Sequence, residues 1–142
     1  MSTDQPAVTI IGSGIAGSAL AAALANAGVP VLLIERSEEF VDHVRGEYMQ
    51  PWGVAEAHQL GLQGDLIESG GNVISRFVGY DEAFSPAEAE ATTLPLGGLV
   101  PGVAGALGIG HPVACQALFD AAGRAGASAH RGVEQVKVTP GP

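Results

Sequence analysis

Basic residues are scarce in this 142-residue chain, six against fifteen acidic ones for a formal charge of −9, and Lys137 is the single lysine. A protein that neutralises a nucleic-acid backbone needs a stripe of Lys and Arg. Nucleic acid and anionic membrane surfaces are therefore poor partners. Cysteine is rarer still. Cys115 alone cannot form an internal disulfide or a CxxC metal or redox site, and it falls on the apolar side of a helical pattern, where it reads as a small buried hydrophobe.

Charge of either sign is missing from Gln5 to Ile34, a stretch long enough to span a bilayer. Gly12-Ser13-Gly14 and the segment Asn26 to Pro30 interrupt it, alanine dilutes its hydrophobicity, and basic flanks are absent. A buried parallel strand, a helix packed on it and a second buried strand account for the same residues without a membrane. Met1-Ser2-Thr3-Asp4 lacks the positive region of a signal peptide, so a cytoplasmic location is expected. The length suits one domain of ordinary size.

Catalytic signatures are also lacking. There is no HExxH, no lysine after a glycine-rich loop, and no glycine–serine pattern of a nucleophile elbow. Asp42 and His43 are neighbours whose side chains diverge, and His58 falls on an exposed helical position. No metal site is expected.

What the chain does have is a complete nucleotide-binding pattern. Val8-Thr9-Ile10-Ile11 reads as a buried strand ending at Gly12, a helix starts near Gly14, and Val31-Leu32-Leu33-Ile34 is a second strand. It ends in Glu35, about the 20 residues further on that the fingerprint requires. Gly12 allows a sharp turn, Gly14 lets backbone N–H groups approach a pyrophosphate, and Gly17 lets the helix lie close to the strand. Phosphates then meet the positive end of the helix dipole. Glu35 can accept hydrogen bonds from both hydroxyls of an adenosine ribose and repels a 2′-phosphate, which favours FAD or NAD over NADP.

Further on, Pro51 to Leu60 reads as a helix stopped by Gly61, Asp65 to Ser69 as a helical turn, and Asn72 to Tyr80 as a strand. Asp81 to Glu90 is acidic, holds Pro86 and reads as a solvated loop. Thr92 to Leu96 pairs back on the preceding strand as a hairpin-like excursion. Gly97 to Gly110 carries six glycines and no charge, as a loop that is either flexible or laid against a ligand. Pro112 opens a helix with an apolar face from Val113 to Ala125 that Gly126 ends. Val133 to Val138 alternates as a closing strand.

Two segments carry a family resemblance. Arg45-Gly46-Glu47 through Leu60-Gly61-Leu62, joined to the N-terminal fingerprint, resembles the aromatic-hydroxylase type of FAD-dependent monooxygenase. In that family an arginine after the second strand reaches FAD and a short helix ending in Leu-Gly-Leu follows; Arg45 and Leu60-Gly61-Leu62 match. Ile109-Gly110-His111-Pro112 through Leu118 is similar to the place where a strand feeds a helix and a side chain, often arginine, approaches the flavin. Here that position is His111, which could equally serve the helix N-terminus.

The resemblance implies an α/β, Rossmann-like FAD-binding domain over residues 1–142, incomplete relative to the full family fold. The candidate cofactor-binding residues are Gly12, Ser13, Gly14, Ile15, Ala16, Gly17, Glu35, Arg36, Arg45 and His111. The family's later Asp-Gly and Gly-Asp motifs and its substrate-covering sheet have no counterpart in the sequence, so the chain is expected to be an N-terminal part of a longer enzyme or to need a partner chain. The whole enzyme would take electrons from NAD(P)H and use O2 to hydroxylate or epoxidise a small organic substrate. The alternatives are a non-catalytic or partner-dependent dinucleotide-binding module, and another FAD oxidoreductase such as a reductase or halogenase.

Overall fold

The computed structural model describes residues 5–42 and 47–139. In chain order the elements are β1 (Val8–Ile11), α1 (Ile15–Asn26), β2 (Val31–Ile34), β3 (Tyr48–Met49), α2 (Pro51–Gln59), α3 (Gln63–Glu68), β4 (Asn72–Ile74), β5 (Arg76–Phe77), α4 (Pro86–Ala91), β6 (Leu94–Pro95), β7 (Ala106–Gly108), α5 (His111–Arg124) and β8 (Ser128–His130). They fall into two compact units, Met1–Val44 with His111–Pro142, and Arg45–Gly110. No helix among the described residues is long and apolar enough to cross a membrane.

The first unit is a parallel sheet of order β1-β2-β8. Val8 pairs with Val31 and Ile11 with Ile34, and Leu32 to Ile34 pair with Ser128 to His130. Val31 and Leu33 are buried on one side of β2. Helices α1 and α5 pack on each other through small side chains: Ser18, Ala21 and Ala22 from α1, and Ala114, Cys115, Ala117, Ala121 and Ala122 from α5 are all buried. This interface explains Cys115, a fully buried side chain of a size that lets two helix backbones come close.

Helix α1 ends as its sequence dictates. Gly28 takes φ 79°, and its N–H and that of Val29 donate to Ala25 O at 2.9 Å and Leu24 O at 3.0 Å, the paired bonds of a Schellman cap. The same pair of bonds closes α2 at Gly61, α3 at Gly70 and α5 at Gly126.

The second unit is built on an antiparallel sheet of order β3-β7-β4, with a separate β5-β6 pair. Leu107, at the centre of β7, is 1% exposed, and Val54, Leu62, Leu66, Leu96 and Ile109 join it in the core.

Four expectations are corrected. Gly97 to Gly110 is not only a loop, because it carries β7, the central strand of its sheet. Its glycines admit close neighbours: a Cβ at Gly105 would overlap the carbonyl oxygen of Ile74. Asp81 to Glu90 is not all loop. Ser85 accepts from the Glu88 N–H and the Glu88 carboxylate accepts from the Ser85 N–H, a capping box that starts α4 with Pro86 in its first turn. The strand over Asn72 to Tyr80 stops at Ile74 and resumes as β5, so its two parts pair with different partners, β7 and β6. Val133 to Val138 forms no strand. The place beside β2 is already taken by β8, and past Gly132, at φ 71°, the chain keeps a bond to the end of β2 at Val133 with no ladder beyond it among the described residues. The hairpin-like pairing of 92–96 with the preceding strand is present as β5-β6.

Candidate functional site

Between β1 and α1 the chain turns at Gly12, whose φ of 99° is closed to ordinary side chains. The Gly12 N–H donates to Ile34 O at 2.7 Å, tying the turn to the end of β2. Ser13 and Ser18 are the buried polar residues among the described ones, both fully covered, and the Ser18 hydroxyl donates to the Ser13 carbonyl at 2.8 Å. The turn is thus braced from inside the first turn of α1.

The three glycines are glycine for different reasons. At Gly12 it is the backbone angle. At Gly17 it is packing, since a Cβ would overlap the Gly12 carbonyl oxygen and lie 3.4 Å from Ile10 Cγ2. At Gly14 the protein imposes neither constraint: φ is −64° and ψ −173°, extended backbone open to any residue, and a Cβ would find no atom within 4 Å. That open space lies at the N-terminus of α1, which has no side-chain cap and no acidic residue in its first turn. By helix geometry the N–H groups of Ile15, Ala16 and Gly17 have no partner within the helix, and they carry the positive end of the dipole. Open space that no protein atom fills, faced by N–H groups the helix leaves unpaired, fits a pyrophosphate.

Glu35 follows β2 directly and turns its carboxylate to this loop. Oε2 accepts from the Ser13 N–H at 2.7 Å and from the Ser13 hydroxyl at 3.3 Å, while Oε1 accepts from the Ser37 N–H at 2.9 Å. Partial burial pushes the Glu35 pKa up, but the N–H groups of Ser37 and Ser13 and their hydroxyls outweigh it, and the net pKa is lowered. The group is a well-oriented anion beside an anion-binding turn, suited to accept from ribose hydroxyls and not to face a 2′-phosphate.

Of the sequence-derived candidates, the structure brings Gly12, Ser13, Gly14, Ile15, Ala16, Gly17 and Glu35 together. Arg36 is exposed next to Glu35. His111 opens α5 with its imidazole nitrogens 3.7 and 3.8 Å from Cys115 Sγ, one helical turn on. Arg45 lies outside the described residues. Two groups escaped sequence reasoning: Ser18, whose only signal is a polar residue within the apolar body of α1, and Ser37, two residues past the acid and placed to close a local turn on it.

The family model for the FAD binding domain matches residues 5–140. Squalene monooxygenase of Rattus norvegicus is 47% identical over 68 residues, 48% of this chain and 12% of that protein. Squalene epoxidase ERG1 of Gibberella zeae is 36% identical over 96 residues, 58% of this chain and 19% of its own length. Among solved structures, a mutant of PqsL from P. aeruginosa superposes with a TM-score of 0.71 at 17% identity, covering 89% of this chain and 33% of that one. The chain therefore spans well under half of the relatives it matches. Its α/β, Rossmann-like fold, its glycine-rich turn and the match over nearly its whole length make it a member of the FAD binding domain family, with FAD as the cofactor.

Proposed function

We propose that this chain is the FAD-holding portion of a flavoprotein monooxygenase that takes electrons from NAD(P)H and uses O2 to hydroxylate or epoxidise a small organic substrate. The observation that carries the nucleotide site is Gly14, a glycine that neither backbone angle nor packing requires. The oxygenase assignment is supported by the likeness to the squalene monooxygenases and epoxidases. FAD, when bound, supplies the redox chemistry. The chain's own residues bind and orient it: the first turn of α1 and Gly14 take the pyrophosphate, and Glu35 takes the adenosine ribose. By family resemblance, Arg45 and His111 approach the rest of the cofactor. Residues 1–142 act on this reading as one FAD-binding domain in the cytoplasm, completed over the substrate by a further segment or a partner chain.

Calorimetric titration with FAD and with NADP tests the site. FAD should bind more tightly, and Glu35→Ala should weaken it by about 1.5–3 kcal/mol, the worth of hydrogen bonds to a charged group. Tighter binding of NADP would refute the assignment. Arg45→Ala should lower FAD affinity while leaving the apo melting temperature unchanged, with only partial rescue by Arg45→Lys because the planar fork is lost. Equal losses in affinity and stability would instead mark Arg45 as a structural ion-pair partner.

A further inference from the structure

Arg131 follows β8 directly, and its guanidinium carbon sits 4.3 Å from the centroid of the Phe40 ring and 4.1 Å from that of Phe119. The two rings meet edge to face, 6.2 Å apart at 72°, so the cation is wedged between them. Its Nη2 donates to Gln116 Oε1 at 2.8 Å and its Nη1 to the Glu38 carbonyl at 3.4 Å. Phe119 and Gln116 belong to α5, whereas Glu38 and Phe40 lie on the segment that leaves β2. One side chain thus fastens that segment to the helix.

The residues flanking Arg131 hold the backbone of Glu35. The Glu35 N–H donates to His130 O at 2.8 Å, and the Val133 N–H donates to Glu35 O at 3.0 Å. The segment Arg131 fastens also contains Ser37, whose N–H donates to the Glu35 carboxylate. Apart from the Ser13 contacts, the hydrogen bonds that orient Glu35 therefore come from residues beside Arg131 or from the segment it clamps. Packing alone does not account for an arginine here. Its Nε is buried with no hydrogen-bond partner among the described residues, a penalty that an aliphatic side chain between the same rings would avoid.

We propose that Arg131 is a positioning residue for the ribose end of the nucleotide site, acting through Glu35 by locking the Arg36-to-Phe40 segment onto α5. This role rests on the reading of Glu35 given above.

The test uses the whole chain, with ADP as probe for the adenosine diphosphate half of FAD. Arg131→Met keeps an unbranched apolar side chain between the rings and removes the charge and the donors; it accompanies Arg131→Ala. Each should weaken ADP binding by about tenfold, the loss of one good hydrogen bond to a charged group. In a Glu35→Ala background neither should weaken it further, because the effect passes through the carboxylate. A ligand-free readout runs beside it: the Glu35 carboxyl, followed by NMR, should titrate at higher pH in Arg131→Met than in the wild type. Unchanged ADP affinity in Arg131→Met, losses that add in full in the double variant, or an Arg131→Met chain that does not fold would each overturn the role. A wild type that binds neither FAD nor ADP would overturn the proposed function and this role with it, while the Glu35 titration would still report whether the brace itself exists.

Discussion

Glycine-rich turns are usually read as one motif, yet at Gly14 and Gly17 the physics differs enough to separate them by substitution. Gly14→Ser should keep or raise the melting temperature, because its hydroxyl can cap α1, and should weaken FAD because the new side chain enters the open space that the protein leaves there. Gly17→Ala should leave that space untouched but destabilise the chain by about 1–3 kcal/mol, since overpacking must push α1 off β1. Urea melts paired with FAD titrations check both; a Gly14→Ser chain that binds FAD as well as the wild type would refute the pyrophosphate assignment. Glu35 gives a second prediction, on pH. Its folded pKa lies below its unfolded value, so its contribution to stability is fully present above the unfolded pKa and is lost as pH falls through the folded one. Glu35→Gln should therefore lose stability at neutral pH and show a flatter acid limb, measured as urea midpoints on acidification.

Elements with a strong local signal were legible in the sequence, and elements defined by their partners were not. Strands β1 and β2 stand out as uncharged runs of strand formers, and α1, α2 and α5 are bounded by glycine or proline at their ends. Strand β7 has only Ala106, Leu107 and Gly108 among six glycines, and what makes it a strand is pairing to β3 on one side and β4 on the other. Conversely, Val133 to Val138 alternates as a strand should, but apart from the Val133 N–H on Glu35 O it joins no strand ladder among the described residues, and periodicity cannot supply a neighbour. Helix α4 was legible in principle, since Ser85-Pro86-Ala87-Glu88 spells a capping box; the acidity of the surrounding segment obscured it. At the site, the glycines and Glu35 could be read from spacing, whereas Ser37 and Arg131 act through contacts that only the folded chain creates. The importance of β7 is measurable: Leu107→Ala should cost about 2–5 kcal/mol, as a fully buried core leucine does. A loss below 1 kcal/mol in a denaturant melt would show that β7 is not the core of its unit.

For the molecule as a whole, the described residues that the proposed reading sets against FAD address its adenosine and pyrophosphate. A flavin held mainly by that end passes electrons to O2 without delivering oxygen to a substrate. The 142-residue chain alone should therefore bind FAD weakly and oxidise NAD(P)H, at most, with release of hydrogen peroxide. A substrate-dependent oxygenated product formed by this chain without a partner would refute that expectation. Discontinuity of the first unit has a kinetic consequence. Strands β1 and β2 are joined by α1 and can meet early, but β8 must find β2 across the whole second unit, and the Arg131 to Glu38 bond spans 93 positions. Closing so long a loop is slow and entropically unfavourable, so the parallel sheet should gain its third strand late in folding. Helix α5, against which α1 packs, arrives by the same long closure, so on the proposed reading both the phosphate cradle and the ribose clamp take their final form only as the second unit is bridged.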